Sequence, residues 1–152
     1  MNKKTLAVSL LLAILVFLGY QTYIQMTATK KVIKKTVQSY GQILGEAMTK
    51  VDTNKMLVIA TPEHAQKIEL DMMYLGKENK YLATRQTYLK IEEIEIDGSN
   101  AVARTKESWE YKERDYNTNQ IKSTGVVNYL NTYSLEKRKG KWLVSDVLQF
   151  KQ

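Results

Sequence analysis

Thr5 to Tyr20 reads TLAVSLLLAILVFLGY, sixteen residues without a charge, and this run constrains everything that follows it. Continued through Ile24 it gives about twenty residues, or ~30 Å of helix, which matches the core of a bilayer. Tyr20 and Tyr23 fall where an interfacial aromatic belt would place them. Lys3 and Lys4 precede the run, so the positive-inside rule keeps the N-terminus cytoplasmic and exports the remainder. Lysines at 30–35 argue the other way, and the shortness of the four-residue tail favours export over them. The competing reading is a cleaved secretory signal. Cutting after Ala28, however, would want a small residue where Met26 stands. The expected organisation is a cytoplasmic tail at 1–4, a transmembrane helix at 5–24 and an extracytoplasmic domain at 31–152.

Composition narrows the chemistry. The chain of 152 residues has no cysteine, which removes disulfides, thiolate metal sites, a lipidated cysteine and cysteine nucleophiles together. Its net charge is +7, and much of the surplus lies in Lys30, Lys31, Lys34 and Lys35. Such lysines favour anionic headgroups or acidic polymers, at roughly 1 kcal/mol per residue near a membrane surface; the alternative is a solvated helix face. No nucleic-acid partner is expected, because acidic and basic residues alternate without forming a stripe.

The periodicity then changes twice. Ile33, Val37, Tyr40, Leu44, Ala47 or Met48, and Val51 recur at steps of three and four, which predicts an amphipathic helix over 31–51. Within it, Gly41 and Gly45 suit close packing on a sheet. A short apolar turn at 55–60 leads to Thr61-Pro62-Glu63, a helix start with Thr61 as its cap. Ala65, Ile68, Met72 and Leu75 share a face, and Gly76 reads as the stop. From Arg85 the period becomes 2. Leu89 and Ile91 are out of phase with Ile94 and Ile96, so a bulge is expected near Glu92-Glu93. Turn sequences at 97–100, 116–120 and 138–141 separate four strands. Helices first and an antiparallel meander after them predict an α+β fold.

This order, closing in Gly140-Lys141-Trp142-Leu143-Val144-Ser145-Asp146, resembles the nuclear transport factor 2-like superfamily. More narrowly, residues 36–150 are similar to the IMS-type domain at the C-terminus of a plastid and cyanobacterial division protein. The stretches that carry the likeness are Tyr88 to Asp97, Ala101 to Arg104, Glu107 to Glu110 and the pair of strands from Tyr129 to Trp142. The resemblance implies a cone: a curved four-stranded antiparallel sheet wrapped around helices. It specifies fold far better than function.

Enzymes of that superfamily place a base inside the cone, which here would have to be His64, Asp71, Glu107 or Asp146. His64 is expected as a solvent-exposed residue of a helix's first turn, Asp71 on a polar helix face, and Asp146 as a paired structural carboxylate. Glu107 shares the apolar parity of Trp109 and is the best candidate for a buried acid. No phosphate loop, metal cluster or nucleophile elbow accompanies them, so no catalytic residue, metal or cofactor is assigned. Tyr88, Glu107, Trp109, Tyr111, Tyr129 and Tyr133 are the candidate groove, since aromatic rings with polar tips suit contact surfaces. The reading is a non-catalytic, membrane-anchored scaffold domain of the cell envelope, held through residues 5–24, with a protein partner at the membrane or a second copy. The alternatives are a subunit of a conjugation or secretion machine, or an anchored ligand-binding protein or enzyme.

Overall fold

The computed structural model describes residues 3–152, with side chains from Leu11 onward. Met1 and Asn2 lie outside the described residues, as do the side chains of Lys3, Lys4 and residues 5–10, on which the expected orientation and the first part of the apolar run depend. Helix α1 spans Lys3–Lys50, and its residues belong to two compact units that divide between Val32 and Ile33.

In the first unit, the described part of the helix is long and apolar enough to cross a membrane. Leu11, Leu12, Ile14, Leu15, Val16, Phe17 and Leu18 are all exposed, as are Tyr20 and Tyr23. Thr22 and Thr27 donate their hydroxyls to the carbonyls of Leu18 and Tyr23, each at 2.9 Å, so their polar atoms are satisfied within the helix.

The second unit, Ile33–Gln152, is an α+β domain. After α1 come a 3-10 turn (Asn54–Val58), helix α2 (Pro62–Lys77) and four strands: β1 (Lys80–Asp97), β2 (Asn100–Asp115), β3 (Ile121–Arg138) and β4 (Lys141–Lys151). The strands form one antiparallel sheet in the order β1-β2-β3-β4. Glu92 is the extra residue that reconciles the two phases of β1, as the sequence pattern required. Thr87 and Ser145 are further extra residues, in β1 and β4. Ser145 resets the parity of its strand, so Trp142 and Val144 before it and Val147 after it all face inward.

Several local expectations need correction. Strand β1 begins at Lys80, five residues before Arg85, because Tyr81 to Thr84 pair with Arg114 to Tyr111 although they do not alternate cleanly. Gly76 is not the stop of α2. The helix runs to Lys77, and Asn79 takes the left-handed conformation (φ 59°), a role its short amide tolerates. Val51 is exposed rather than core, since it too is left-handed just past the end of α1.

The core joins Ile33, Val37, Tyr40 and Ala47 of α1 and Ala65, Ile68 and Met72 of α2 to Ala101, Ala103, Tyr133, Leu135, Trp142 and Val144 of the sheet. Gly41 and Gly45 of α1 let helix and sheet approach. A Cβ on Gly45 would stand 3.0 Å from the Thr84 carbonyl oxygen, and one on Gly41 would meet the Gln86 amide at 2.5 Å. The start of α2 is clamped to the sheet edge: Thr61 N–H donates to the Val144 carbonyl and Val144 N–H to the Ile59 carbonyl, both at 2.9 Å.

Candidate functional site

Glu107 is the least ordinary residue in the core. It is 2% exposed, and its carboxylate accepts four hydrogen bonds. Thr105 Oγ1 (2.6 Å) and Tyr133 Oη (2.7 Å) donate to Oε1; Trp109 Nε1 (2.7 Å) and Gln86 Nε2 (2.9 Å) donate to Oε2. Strand geometry assembles them. Thr105, Glu107 and Trp109 share one parity of β2, Gln86 lies opposite Trp109 on β1, and Tyr133 reaches along β3. Two carboxyl oxygens with four partners have every acceptor position engaged. None of the four donors is cationic, so the Glu107 carboxyl is held by neutral dipoles alone. With every lone pair engaged, it has no free site for a substrate proton.

Tyr40 of α1 packs edge-on against Tyr133, ring centroids 5.5 Å apart. Its hydroxyl lies 2.8 Å from His64 Nε2. Burial first, and the Glu107 charge second, push the hydroxyls of Tyr40 and Tyr133 well above the ordinary tyrosine range, so both stay protonated. His64 is not solvent-exposed as expected. It is 5% exposed: Thr61, which caps α2 by accepting from His64 N–H (3.3 Å), is itself held to Val144 of the sheet, and this sets the first helical turn inward onto Tyr40. Burial lowers its pKa, with Asp146 opposing. Its Nδ1 has no hydrogen-bond partner, and Asp146 Oδ1 lies 3.9 Å away. Asp146 is engaged by Lys67 instead (3.1 Å), and that bond holds its carboxyl below the usual range.

Beside this network, sheet and helices part to leave a cleft of about 590 Å³. Trp109, Tyr111, Val127, Tyr129 and Tyr133 line it from the sheet, Tyr40, Leu44 and Met48 from α1, and His64, Lys67 and Asp71 from α2. Four of the six groove candidates, Trp109, Tyr111, Tyr129 and Tyr133, thus come together. Glu107 stands one side chain behind them, bonded to Trp109 and Tyr133. Tyr88 lies apart, 51% exposed, between the two extra residues of β1. Lys30, Lys31, Lys34 and Lys35 are exposed, and among the described residues no ion pair engages them. No three His, Asp or Glu side chains converge as metal ligands among the described residues.

No protein-family model and no curated protein matches the chain. Solved structures do. The intermembrane space region of the chloroplast protein ARC6 superposes with a TM-score of 0.70 at 10% identity, covering 80% of this chain and 96% of that one. This is a nuclear transport factor 2-like fold. A chain described as a calcium/calmodulin-dependent protein kinase II association domain from Xanthomonas campestris gives a TM-score of 0.49 at 18% identity, covering 76% of this chain and 85% of that one.

At such identities the likeness establishes the cone and not its contents; those come from the residues. Sequence reasoning found Glu107 by parity but missed the partners that distinguish it. Gln86 and Tyr133 lie 21 and 26 residues away in the chain, and no local pattern signals them. It also missed Asn131, 2% exposed between Tyr129 and Tyr133 on β3. Neither amide atom of Asn131 has a hydrogen bond of normal geometry, although it neighbours the Tyr133 hydroxyl.

Proposed function

We infer that this chain is a membrane-tethered, non-catalytic interaction module whose cone seats part of a protein partner in the aromatic cleft. The observation that carries the reading is the state of Glu107. The buried carboxylate best placed to act as a base has all its acceptor sites filled by Thr105, Tyr133, Trp109 and Gln86. What faces the open volume is mainly aromatic and aliphatic surface. Such surface suits contact, because large rings bury area at little cost in rotamer entropy. The exposed apolar face of the helix before Val32 supports a membrane anchor, with the domain on the extracytoplasmic side and the lysines at 30–35 drawn to anionic headgroups. Likeness to a domain from an intermembrane space agrees with a scaffold role in the cell envelope. The open cleft also keeps a small-ligand-binding role as the second reading.

The test is photocrosslinking in intact membranes, with a photoreactive residue at Tyr111 or Tyr129 in the cleft and, as a control, at Tyr88. Expected is a discrete protein adduct from the two cleft positions and none from Tyr88. Equal labelling from all three sites, or a small molecule recovered in place of a protein, would overturn the proposal.

A further inference from the structure

We propose that the partner segment docks in extended form on the free edge of β4, from Val147 to Lys151, and adds a strand to the sheet at the mouth of the cleft. This rests on the reading of the cleft as a docking site and adds the conformation and chemistry of the occupant.

The two edges of the sheet are treated differently. An open edge offers unpaired N–H and C=O groups to any extended chain, and folded proteins ordinarily cover it, bend it with bulges or line it with charge. Edge strand β1 has all three protections. Gly45 of α1 packs against the Thr84 carbonyl, Thr87 and Glu92 are extra residues, and Lys90, Glu92, Glu93 and Glu95 are exposed. Edge strand β4 is covered at its start, where Val144 N–H donates to the Ile59 carbonyl and its own carbonyl accepts from Thr61 N–H. From Val147 to Phe150 it carries no charge, proline or extra residue, and Leu148 and Phe150 are exposed.

The phase of the ladder says which groups are free. Gln152 N–H donates to the Asn128 carbonyl (3.0 Å), so Phe150 and Leu148, in the same phase, also turn their backbone groups to β3. Val147, Gln149 and Lys151 alternate with them and turn theirs outward. The Val147 N–H is met by the Asp146 carboxylate. Among the described residues, the outward groups of Gln149 and Lys151 have no partner within the chain.

The cleft opens along this stretch. Val147, Leu148 and Gln149 all line it, although their side chains alternate between the faces of the sheet. A strand laid here exchanges main-chain bonds with Gln149, sets alternate side chains toward the rings of the cleft and places the others beside Leu148 and Phe150. Its occupant is therefore a proline-free segment, apolar on the cleft side and β-branched or aromatic on the other. Main-chain bonds give such a complex its affinity and the alternate side chains its specificity. A second copy fits less well. Two β4 strands paired antiparallel are related by a two-fold axis normal to the sheet, which brings another α2 to the face where Lys67 and Asp71 already stand beside the edge.

The test uses the full chain in phosphatidylcholine nanodiscs and a capped heptapeptide of alternating threonine and valine with a central phenylalanine. Amide hydrogen exchange is followed by NMR. Without peptide, Gln149 and Lys151 should exchange freely while Leu148 and Phe150 are protected. Saturating peptide should slow Gln149 and Lys151 at least tenfold and shift the Trp109 indole N–H. Gln149→Pro removes an outward N–H that β3 does not use, a change edge strands tolerate, and should weaken binding at least tenfold. Gln149→Ala keeps that N–H and should stay within twofold of the parent. The same peptide with its three central amides N-methylated, which leaves the protein untouched, should also bind at least tenfold more weakly. A shift at Trp109 without protection at Gln149 and Lys151, or undiminished binding of the methylated peptide, would overturn strand addition and leave the docking reading standing. Protection that grows with protein concentration in the absence of peptide would replace the proposed occupant by a second copy. No change at Trp109, Gln149 or Lys151 would overturn both readings.

Discussion

The two ends of the cone's inner face are made from the same strands and do opposite things. At the closed end, β2 supplies Ala101 and Ala103, β3 supplies Leu135 and β4 supplies Val144, each at most 4% exposed. Small residues there let Ile33 and Val37 of α1 descend until no space remains. At the open end the same parity carries Tyr111, Val127 and Tyr129, which α1 and α2 leave half-buried around the cleft. The boundary is the belt of Glu107, Trp109 and Tyr133, where hydrogen bonding takes over from packing. The difference teaches that side-chain size along a strand sets where helices can close, and that the rings left uncovered are available for contact.

The comparison breaks first at its extremes. Leu135→Ala should destabilise the domain by about 2–5 kcal/mol, as expected for a fully buried leucine, while Tyr129→Ala should cost under about 1 kcal/mol and abolish cleft crosslinking. Chemical denaturation of both variants measures this; equal losses would erase the distinction between the ends. At the boundary, Glu107→Gln should cost about 1–3 kcal/mol, the scale of buried hydrogen bonds that must be remade, with tryptophan emission reporting altered surroundings of Trp109. A variant as stable as the parent would show that an amide serves the four partners as well as the carboxyl does.

His64 sharpens the picture through pH. Burial depresses its folded-state pKa below the 6.5 of a free histidine. The unfolded chain therefore takes up a proton that the folded chain refuses, so stability is full above pH 6.5 and falls as the pH drops toward the folded value. Thermal melts between pH 7.5 and 5 should show this decline, and it should flatten in His64→Phe. If the slope persists unchanged in that variant, His64 is not its source. Asn131→Leu should have the smallest effect, anywhere from neutral to a gain of about 1 kcal/mol, because it removes a buried amide without normal hydrogen bonds. A loss above about 2 kcal/mol would mean that the amide is satisfied by its neighbour Tyr133.

Much of this was legible in the chain. Alternation fixed which residues of β2 and β3 face inward, and the phase slip at Glu92 announced its bulge before any pairing was known. Thr61-Pro62-Glu63 marked the start of α2 through chemistry local to three residues. His64 shows where such reading stops. Its position in a first helical turn was plain, but its burial follows from the clamp between Thr61 and Val144, more than eighty residues apart.

The amino-acid order alone determined the apolar helix, the sequence of elements, the inward parity of β2 and β3 and the absence of thiol chemistry, because each depends on neighbours within a turn or a strand. Only the tertiary structure decided that Glu107 is held by four neutral donors, that Tyr40 meets His64 and that a cleft opens beside Trp109. Those outcomes rest on contacts between residues 21 to 26 positions apart, and on how closely two helices can approach a bent sheet. Neither quantity is written in any local period.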